Sequence, residues 1–184
     1  YHNILISKIN ANQNLNSRDR AYLKETITGV VVLRKKLEWI ISEFSTKPIN
    51  KLEQKVLTFL MIGVYNLLED SFIPEHAAIN EVVEAIKTQS SKKAAGFVNG
   101  ILRAVQRESS NVNYPALKKD PILSLAVRYS HPDWIVERWL NRYGVENTEF
   151  LCDWNNKKNP VTIRVNKSRK NYIDFIKYLE KEKL

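Results

Sequence analysis

A single cysteine, Cys152, stands among the 184 residues, so no internal disulfide can form and the chain suits a reducing, cytoplasmic compartment. Long apolar runs are scarce too. The longest, residues 57–68, is interrupted by Thr58 and Asn66 and is too short to span a bilayer, so no membrane partner is expected. No charged segment followed by an apolar one opens the chain, which argues against a secretory signal. The chain starts at Tyr1 without a methionine and closes on helical-looking "YLEKEKL", as an excised fragment would. Only five glycines occur, at 29, 63, 96, 100 and 144, and none falls in a GxxxxGK[ST] phosphate loop. His2, His76 and His131 lack metal-ligand spacing to one another, so no metal site is expected. No internal repeat is present.

What is abundant is positive charge. The 29 Lys and Arg residues outnumber 20 Asp and Glu, for a net +9. Such an excess suits a polyanion, because each cation placed on a phosphate releases counterions. A genome whose nucleotide bias favours Lys, Asn and Ile would produce the same excess without selection for binding.

Helical periodicity dominates the pattern. After a candidate N-cap at Ser17, apolar residues fall at Leu23, Ile27, Val30, Leu37, Ile41 and Phe44, with a break expected at Gly29 or at the charged residues 34–36. Asn50 with Glu53 three residues on resembles a capping box. The next helix carries Val56, Leu57, Leu60, Met61, Val64 and Leu68 over most of its girth, as the centre of a bundle would. Pro74 closes a turn, and Ile79, Val82, Val83 and Ile86 face inward on the helix beyond it. Residues 109–120 read as a loop. A helix follows Pro121, and another has Pro132 in its first turn and Gly144 as its stop. Then the period changes. Val161, Ile163 and Val165 alternate with Thr162, Arg164 and Asn166, as in a short half-buried strand, and Ser168 caps a helix with Ile173, Ile176 and Leu179. The expected fold is therefore an all-α bundle over 1–127, then a helical linker and the first strand and helix of an α/β or α+β domain over 128–184.

The stretch "AAGFVNGILRAVQRE", residues 94–108, places Phe97, Ile101, Leu102 and Val105 on one helical face and Gly96, Gly100, Arg103 and Arg107 on a second stripe. Glycine in a helix interior costs about 0.8–1 kcal/mol relative to alanine. Two of them imply close approach by a neighbouring helix, with Arg103 facing solvent beyond the contact. Ser91 is the candidate cap of this helix. Lys92 and Lys93 then occupy its first turn, either as an anion site or as solvated loop residues. Trp39, Trp134, Trp139 and Trp154 sit at helical positions, as core or interface anchors would. Cys152 reads as a structural thiol.

"FVNGILRAVQRE", with "LEQKVLTFLMIGVYNLLEDSFIPEHAAINEVVEAIK" upstream, resembles the NusB-like helical domain. Two groups share that domain: transcription antitermination factors, which bind RNA and a ribosomal protein, and the N-terminal part of bacterial small-subunit ribosomal RNA cytosine-5 methyltransferases of the Sun/Fmu type. "LRAVQRE", "YSHPDWIVERWLNRYG" and "NPVTIRVNKSRKN" are more similar to the second group. That resemblance implies an RNA-binding and targeting domain whose partners are ribosomal RNA and its own C-terminal catalytic domain. It also implies S-adenosylmethionine as cofactor of the complete enzyme, with no cofactor and no catalytic residue in this chain. The candidate phosphate contacts are Arg34, Lys35, Lys36, Lys92, Lys93, Arg103, Arg107 and Arg164. Arg164 and Asn166 suit either RNA or a catalytic domain, and a purely structural helical domain is a third reading. The glycine-rich cofactor turn and the paired cysteines that the resemblance calls for are absent from these residues. Isothermal titration of this chain with S-adenosylmethionine is therefore expected to show no heat of binding. A micromolar dissociation constant would contradict the reading.

Overall fold

The computed structural model describes residues 15–69, 73–157, 162–166 and 171–181. Among them are eight α-helices and two short 3-10 turns. The first helix, α1 (Ser17–Val32), is capped by Asn16, one residue before the expected Ser17, with Asn16 Oδ1 accepting from the Asp19 N–H at 2.9 Å. The long apolar period then breaks at Leu33 (φ −92°, ψ 13°), between the two expected breaks, and resumes as α2 (Arg34–Phe44).

The capping box expected at Asn50 and Glu53 does not form. Pro48 instead nucleates a 3-10 turn over Ile49–Lys51, in which the Lys51 N–H reaches the Pro48 carbonyl at 2.9 Å. Helix α3 (Gln54–Leu68) starts after it, with Glu53 at the N-cap making no side-chain bond. Pro74 precedes α4 (Glu75–Gln89). Ser91 caps α5 (Lys92–Glu108) by accepting from the Ala94 N–H at 3.2 Å. Asp120 caps α6 (Pro121–Arg128), whose proline sits in the first turn where no N–H is needed. Helix α7 (Asp133–Asn156) is kinked at Gly144, whose φ of 75° lies in the left-handed region that glycine tolerates best. The glycine ends one helical segment, as expected, but a second resumes directly after it. Helix α8 (Tyr172–Lys181) carries Ile173, Ile176 and Leu179, and Asn171 Oδ1 accepts from the Ile173 N–H at 3.1 Å. The expected cap Ser168 lies outside the described residues.

The short strand expected around Ile163 is not seen. Residues 162–166 are neither helix nor strand, and no strand occurs elsewhere among the described residues. A strand exists only through ladder bonds to a partner, so alternation of side chains alone does not make one. Val161 lies outside the described residues.

Two cores result. The larger joins α2, α3, α4 and α5 through Leu37, Ile40, Ile41, Leu60, Val64, Ile79, Ile86, Val98, Leu102 and Val105, each at most 0% exposed. Its centre is α3, which packs against α1, α2, α4 and α5. The smaller joins α6 to α7 through Leu125, Ala126, Val136 and Cys152, with Leu117, Tyr129, Trp139 and Leu140 around them. Among the described residues no helix is long and apolar enough to cross a membrane.

The close helix contacts fall on other glycines than the expected pair. A Cβ added at Gly96 or Gly100 meets nothing within 4 Å, so that stripe is open. A Cβ at Gly29 would lie 2.2 Å from the Tyr65 ring, and one at Gly63 would lie 2.6 Å from Leu102. The reason is geometric. Gly29 and Gly63 lie where α1 meets α3 and α3 meets α5, whereas the Gly96 stripe turns away from the core face of α5. Gly29→Ala is accordingly expected to destabilise, since overpacking costs ~1–3 kcal/mol against a propensity gain of up to ~1 kcal/mol. Gly100→Ala should stabilise by ~0.5–1 kcal/mol. Thermal melts of the two variants, moving in opposite directions, check the assignment.

Candidate nucleic-acid interface

The run Arg34, Lys35 and Lys36 opens α2 in the turn where the helix dipole disfavours cations. Each has a carboxylate against it. Arg34 Nε meets Glu38 Oε1 at 2.7 Å, Lys35 Nζ meets Asp133 Oδ1 at 2.5 Å, and Lys36 Nζ meets Glu69 Oε1 at 2.6 Å. Leu33 offers this helix no side-chain cap, and the Lys36 N–H donates instead to Ser130 Oγ at 2.8 Å. Ser130 holds a φ of 54°, unusual for a residue with a Cβ, in the turn between α6 and α7. The start of α2 is thus the seat on which the α6–α7 corner rests. Two of its three cations serve that joint and the end of α3.

Lys92 and Lys93 have a different setting. Both are exposed in the first turn of α5, which holds no acidic residue, and neither meets a carboxylate among the described residues. Lys47, which sequence reasoning missed, lies with its ammonium 5.8 Å from the centre of the Phe97 ring, one turn along from Lys93. No local pattern marks Lys47, since only the folding of α2 against α5 brings it there. Arg107 is exposed, 3.8 Å from the Glu108 carboxylate. Arg103 is half-buried rather than solvent-facing. Its Nη1 donates to Gln106 Oε1 at 3.1 Å, and Gln106 Nε2 donates to Glu75 Oε2 at 2.9 Å, which links it to the start of α4. Arg164 is exposed within residues 162–166.

These cations do not gather into one patch. Helices α2 and α5 run antiparallel: Lys47, past the end of α2, meets Phe97 near the start of α5, while Trp39 Nε1 donates at 3.2 Å to the carbonyl of Asn113, past the end of α5. At 1.5 Å per residue, α5 separates Lys92 from Arg107 by roughly 20 Å. Lys47, Lys92 and Lys93 therefore mark one end of the bundle, and the run at Arg34 marks the other with Arg107.

The tryptophans divide as well. Trp39 and Trp139 are half-buried, the latter 5.6 Å from the His131 ring. Trp134 and Trp154 are 63% and 55% exposed, so of the two expected roles, core or interface anchor, these two do not take the first. A cleft of about 820 Å³ opens between α1, the end of α3 and the α6–α7 corner. Lys24, Lys36 and Arg128 line it opposite Glu25, Glu69 and Asp153, so its charge is balanced and does not favour a polyanion.

Titratable groups near that corner are held neutral. Burial, and then Glu149, push the Cys152 thiol up to about 11, so no thiolate nucleophile forms there at neutral pH. Burial and a hydrogen bond donated to Glu149 at 3.1 Å push the Tyr129 hydroxyl up to about 12. Burial lowers His131, although its Nδ1 lies 2.7 Å from the Tyr129 carbonyl. Among the described residues no group of three His, Cys, Asp or Glu is placed to hold a metal ion.

Comparison with known proteins gives two family matches: the NusB family over residues 1–107 and the Methyltr_RsmF/B-like, ferredoxin-like domain over residues 131–184. A probable ribosomal RNA small subunit methyltransferase B of Bacillus subtilis is 31% identical over 182 residues, 99% of this chain and 40% of its own length. Ribosomal RNA small subunit methyltransferase B of Serratia proteamaculans is 31% identical over 90% of this chain and 37% of its own length. The Proteus mirabilis protein of the same name is 33% identical over 92% of this chain and 38% of its own length. The chain thus spans about 40% of the length of the curated relatives it matches.

The Ser130 joint is open to test. Ser130→Ala removes the cap of α2 while keeping a Cβ in a left-handed conformation, and is expected to cost ~0.5–2 kcal/mol. That corresponds to a melting point lower by a few degrees in a chain of this size, about 2–4 °C per kcal/mol. Ser130→Gly loses the same bond but relieves backbone strain of ~1–2 kcal/mol, so it should melt close to the parent. An alanine variant as stable as the parent would show that the cap contributes nothing.

Proposed function

Since the chain belongs to the NusB family, we propose that it is the RNA-holding part of a ribosomal RNA (cytosine-5) methyltransferase. The observation that carries this reading is the alignment of 99% of this chain with a protein named probable ribosomal RNA small subunit methyltransferase B, which continues past the NusB match into residues 131–184. A free-standing antitermination factor would leave that second region without a role. On this reading the helical domain covers residues 1–127, and residues 128–184 lead into the methyl-transferring part. Transfer from S-adenosylmethionine belongs to the length of such enzymes that this chain does not match. The chain's own residues supply affinity and register on RNA in the cytoplasm.

The charge distribution supports that division of labour. The net +9 draws a polyanion, while the cations able to meet phosphate are those not held in internal ion pairs. Lys92 and Lys93, with Lys47 beside them, lead on that criterion and Arg164 follows, while Arg107 is exposed but lies 3.8 Å from Glu108. Arg34 remains 62% exposed despite its bond to Glu38 and can turn outward at small expense, because exposed pairs contribute only ~0–1 kcal/mol. Lys35, Lys36 and Arg103 are proposed to contribute through the local field more than through direct contact, since each already bonds a neighbour.

Fluorescence anisotropy with a labelled single-stranded RNA checks the proposal. Log affinity should fall linearly with log salt at about −0.7 per phosphate contacted. Lys92→Glu combined with Lys93→Glu should weaken binding and flatten that slope by about 1.4. A slope near zero in the parent, or an unchanged affinity in the double variant, would count against an electrostatic RNA role for this end of the bundle.

A further inference from the structure

Helix α7 shows its exposed aromatic residues in two different electrostatic settings. Beyond Gly144, Phe150 and Trp154 are 60% and 55% exposed and stack on each other, with ring centres 6.0 Å apart and planes 23° apart. Lys157 lies over the Trp154 ring at 5.9 Å, but its ammonium is bonded to Asp153 at 2.5 Å. Glu146 and Glu149 occupy the same segment, so acid outweighs base there. That face repels phosphate.

Before Gly144 acid and base are equal in number, Asp133 and Glu137 against Arg138 and Arg142, but the two arginines stand apart from the carboxylates. Trp134, Arg138 and Arg142 follow one another four residues apart on an outward ridge, away from the buried Val136. Trp134 is 63% exposed, and its indole makes no hydrogen bond or ring contact among the described residues. Arg138 and Arg142 are exposed and meet no carboxylate among them, and the Arg142 guanidinium lies 5.3 Å from the centre of the Tyr143 ring. Glu137 is the acidic residue on the flank of this ridge. Asp133, at the head of the helix, is already bonded to Lys35, and that bridge sets the ridge beside the start of α2, where Arg34 is exposed.

We propose that this ridge is a contact for single-stranded RNA, in which the Trp134 indole stacks on an unpaired base while Arg138 and Arg142 take successive phosphates. An open π-face accepts any base, and a rise of 1.5 Å per residue sets the two arginines about 6 Å apart along the helix, the scale of one step in an extended strand. The inference rests on the RNA-holding reading above and adds a second, stacking site to it. Two arginines without a carboxylate partner among the described residues favour a polyanion over a polypeptide here, whereas the Phe150–Trp154 face has an excess of acid and serves as an internal control.

The test uses this chain and a labelled decamer of oligouridylate, with an RNA duplex for comparison. Trp134→Ala should lower affinity for the single strand about tenfold, Trp134→Phe should restore most of it, and duplex binding should change little. Arg138→Ala should reduce the salt slope by about 0.7. Trp154→Ala should bind as the parent does. Melting points near the parent's are expected for each, because every one of these side chains is exposed. A parent chain that binds the decamer equally well with and without Trp134 overturns the ridge while leaving the RNA-holding reading in place. A parent with no affinity at low salt overturns both. Equal losses for Trp134→Ala and Trp154→Ala, or a Trp134-dependent self-association with unchanged RNA affinity, would also overturn the inference, the last by assigning the face to a second copy of the chain.

Discussion

Helix α3 is apolar around most of its girth, and that single property organises the bundle. Val56, Leu57, Leu60, Met61, Val64 and Tyr65 are all buried, facing neighbours on several sides. Burying one such side chain is worth ~1.5–3 kcal/mol, so exposing any side of α3 would forfeit more than a domain of this size can spare. The helix must therefore be surrounded, and α1, α2, α4 and α5 surround it. Its glycine and tyrosine set how near the neighbours come. Gly63 admits Leu102 from α5, and Tyr65 presses its ring against Gly29 of α1.

From that constraint follows the fate of the basic residues. Packing α2 on α3 presents the start of α2 to the α6–α7 corner, and the joint needs a cap and charge neutralisation. Ser130 supplies the first, and Asp133 and Glu69 the second. Lys35 and Lys36 are thereby drawn into structure, while the far end of the bundle leaves Lys92 and Lys93 unpaired among the described residues. A net charge of +9 thus divides into cations that hold helices together and cations available to a partner. The second kind could meet a phosphate at least expense, because an ion pair already made must be broken before a phosphate can replace it.

The joint also places chemistry at the surface. Cys152 and Tyr129 are held protonated inside the small core of α6 and α7, which fits support more than catalysis. Outside that core, α7 carries aromatic rings whose neighbours differ in charge on either side of the Gly144 kink. The kink separates a segment with two arginines unpaired among the described residues from an acidic one within a single helix, so the two segments suit different partners.

Much of this was legible in the residues alone. Apolar spacing marked the helices, Ser91 marked one start and Pro132 another to within a residue, and Gly144 marked the end of a helical segment, because each acts through bonds or dihedrals within a few residues of itself. The breadth of α3's apolar surface announced its central place. Partners distant in the chain were decided elsewhere. Nothing local distinguishes Gly96 and Gly100 from Gly29 and Gly63, since a glycine's role depends on which helix faces it. Nothing local ties Lys36 to Ser130, or Gln106, Arg103's acceptor, to Glu75. Alternation at Ile163 implied a strand, yet a strand requires a second one, which residues 162–166 do not find among the described residues. Sequence determined the helices and the sign of the charge, because backbone preference and composition are local or summed quantities. Tertiary structure alone decided which cations are free and which glycines are crowded, because both depend on what packs across from them.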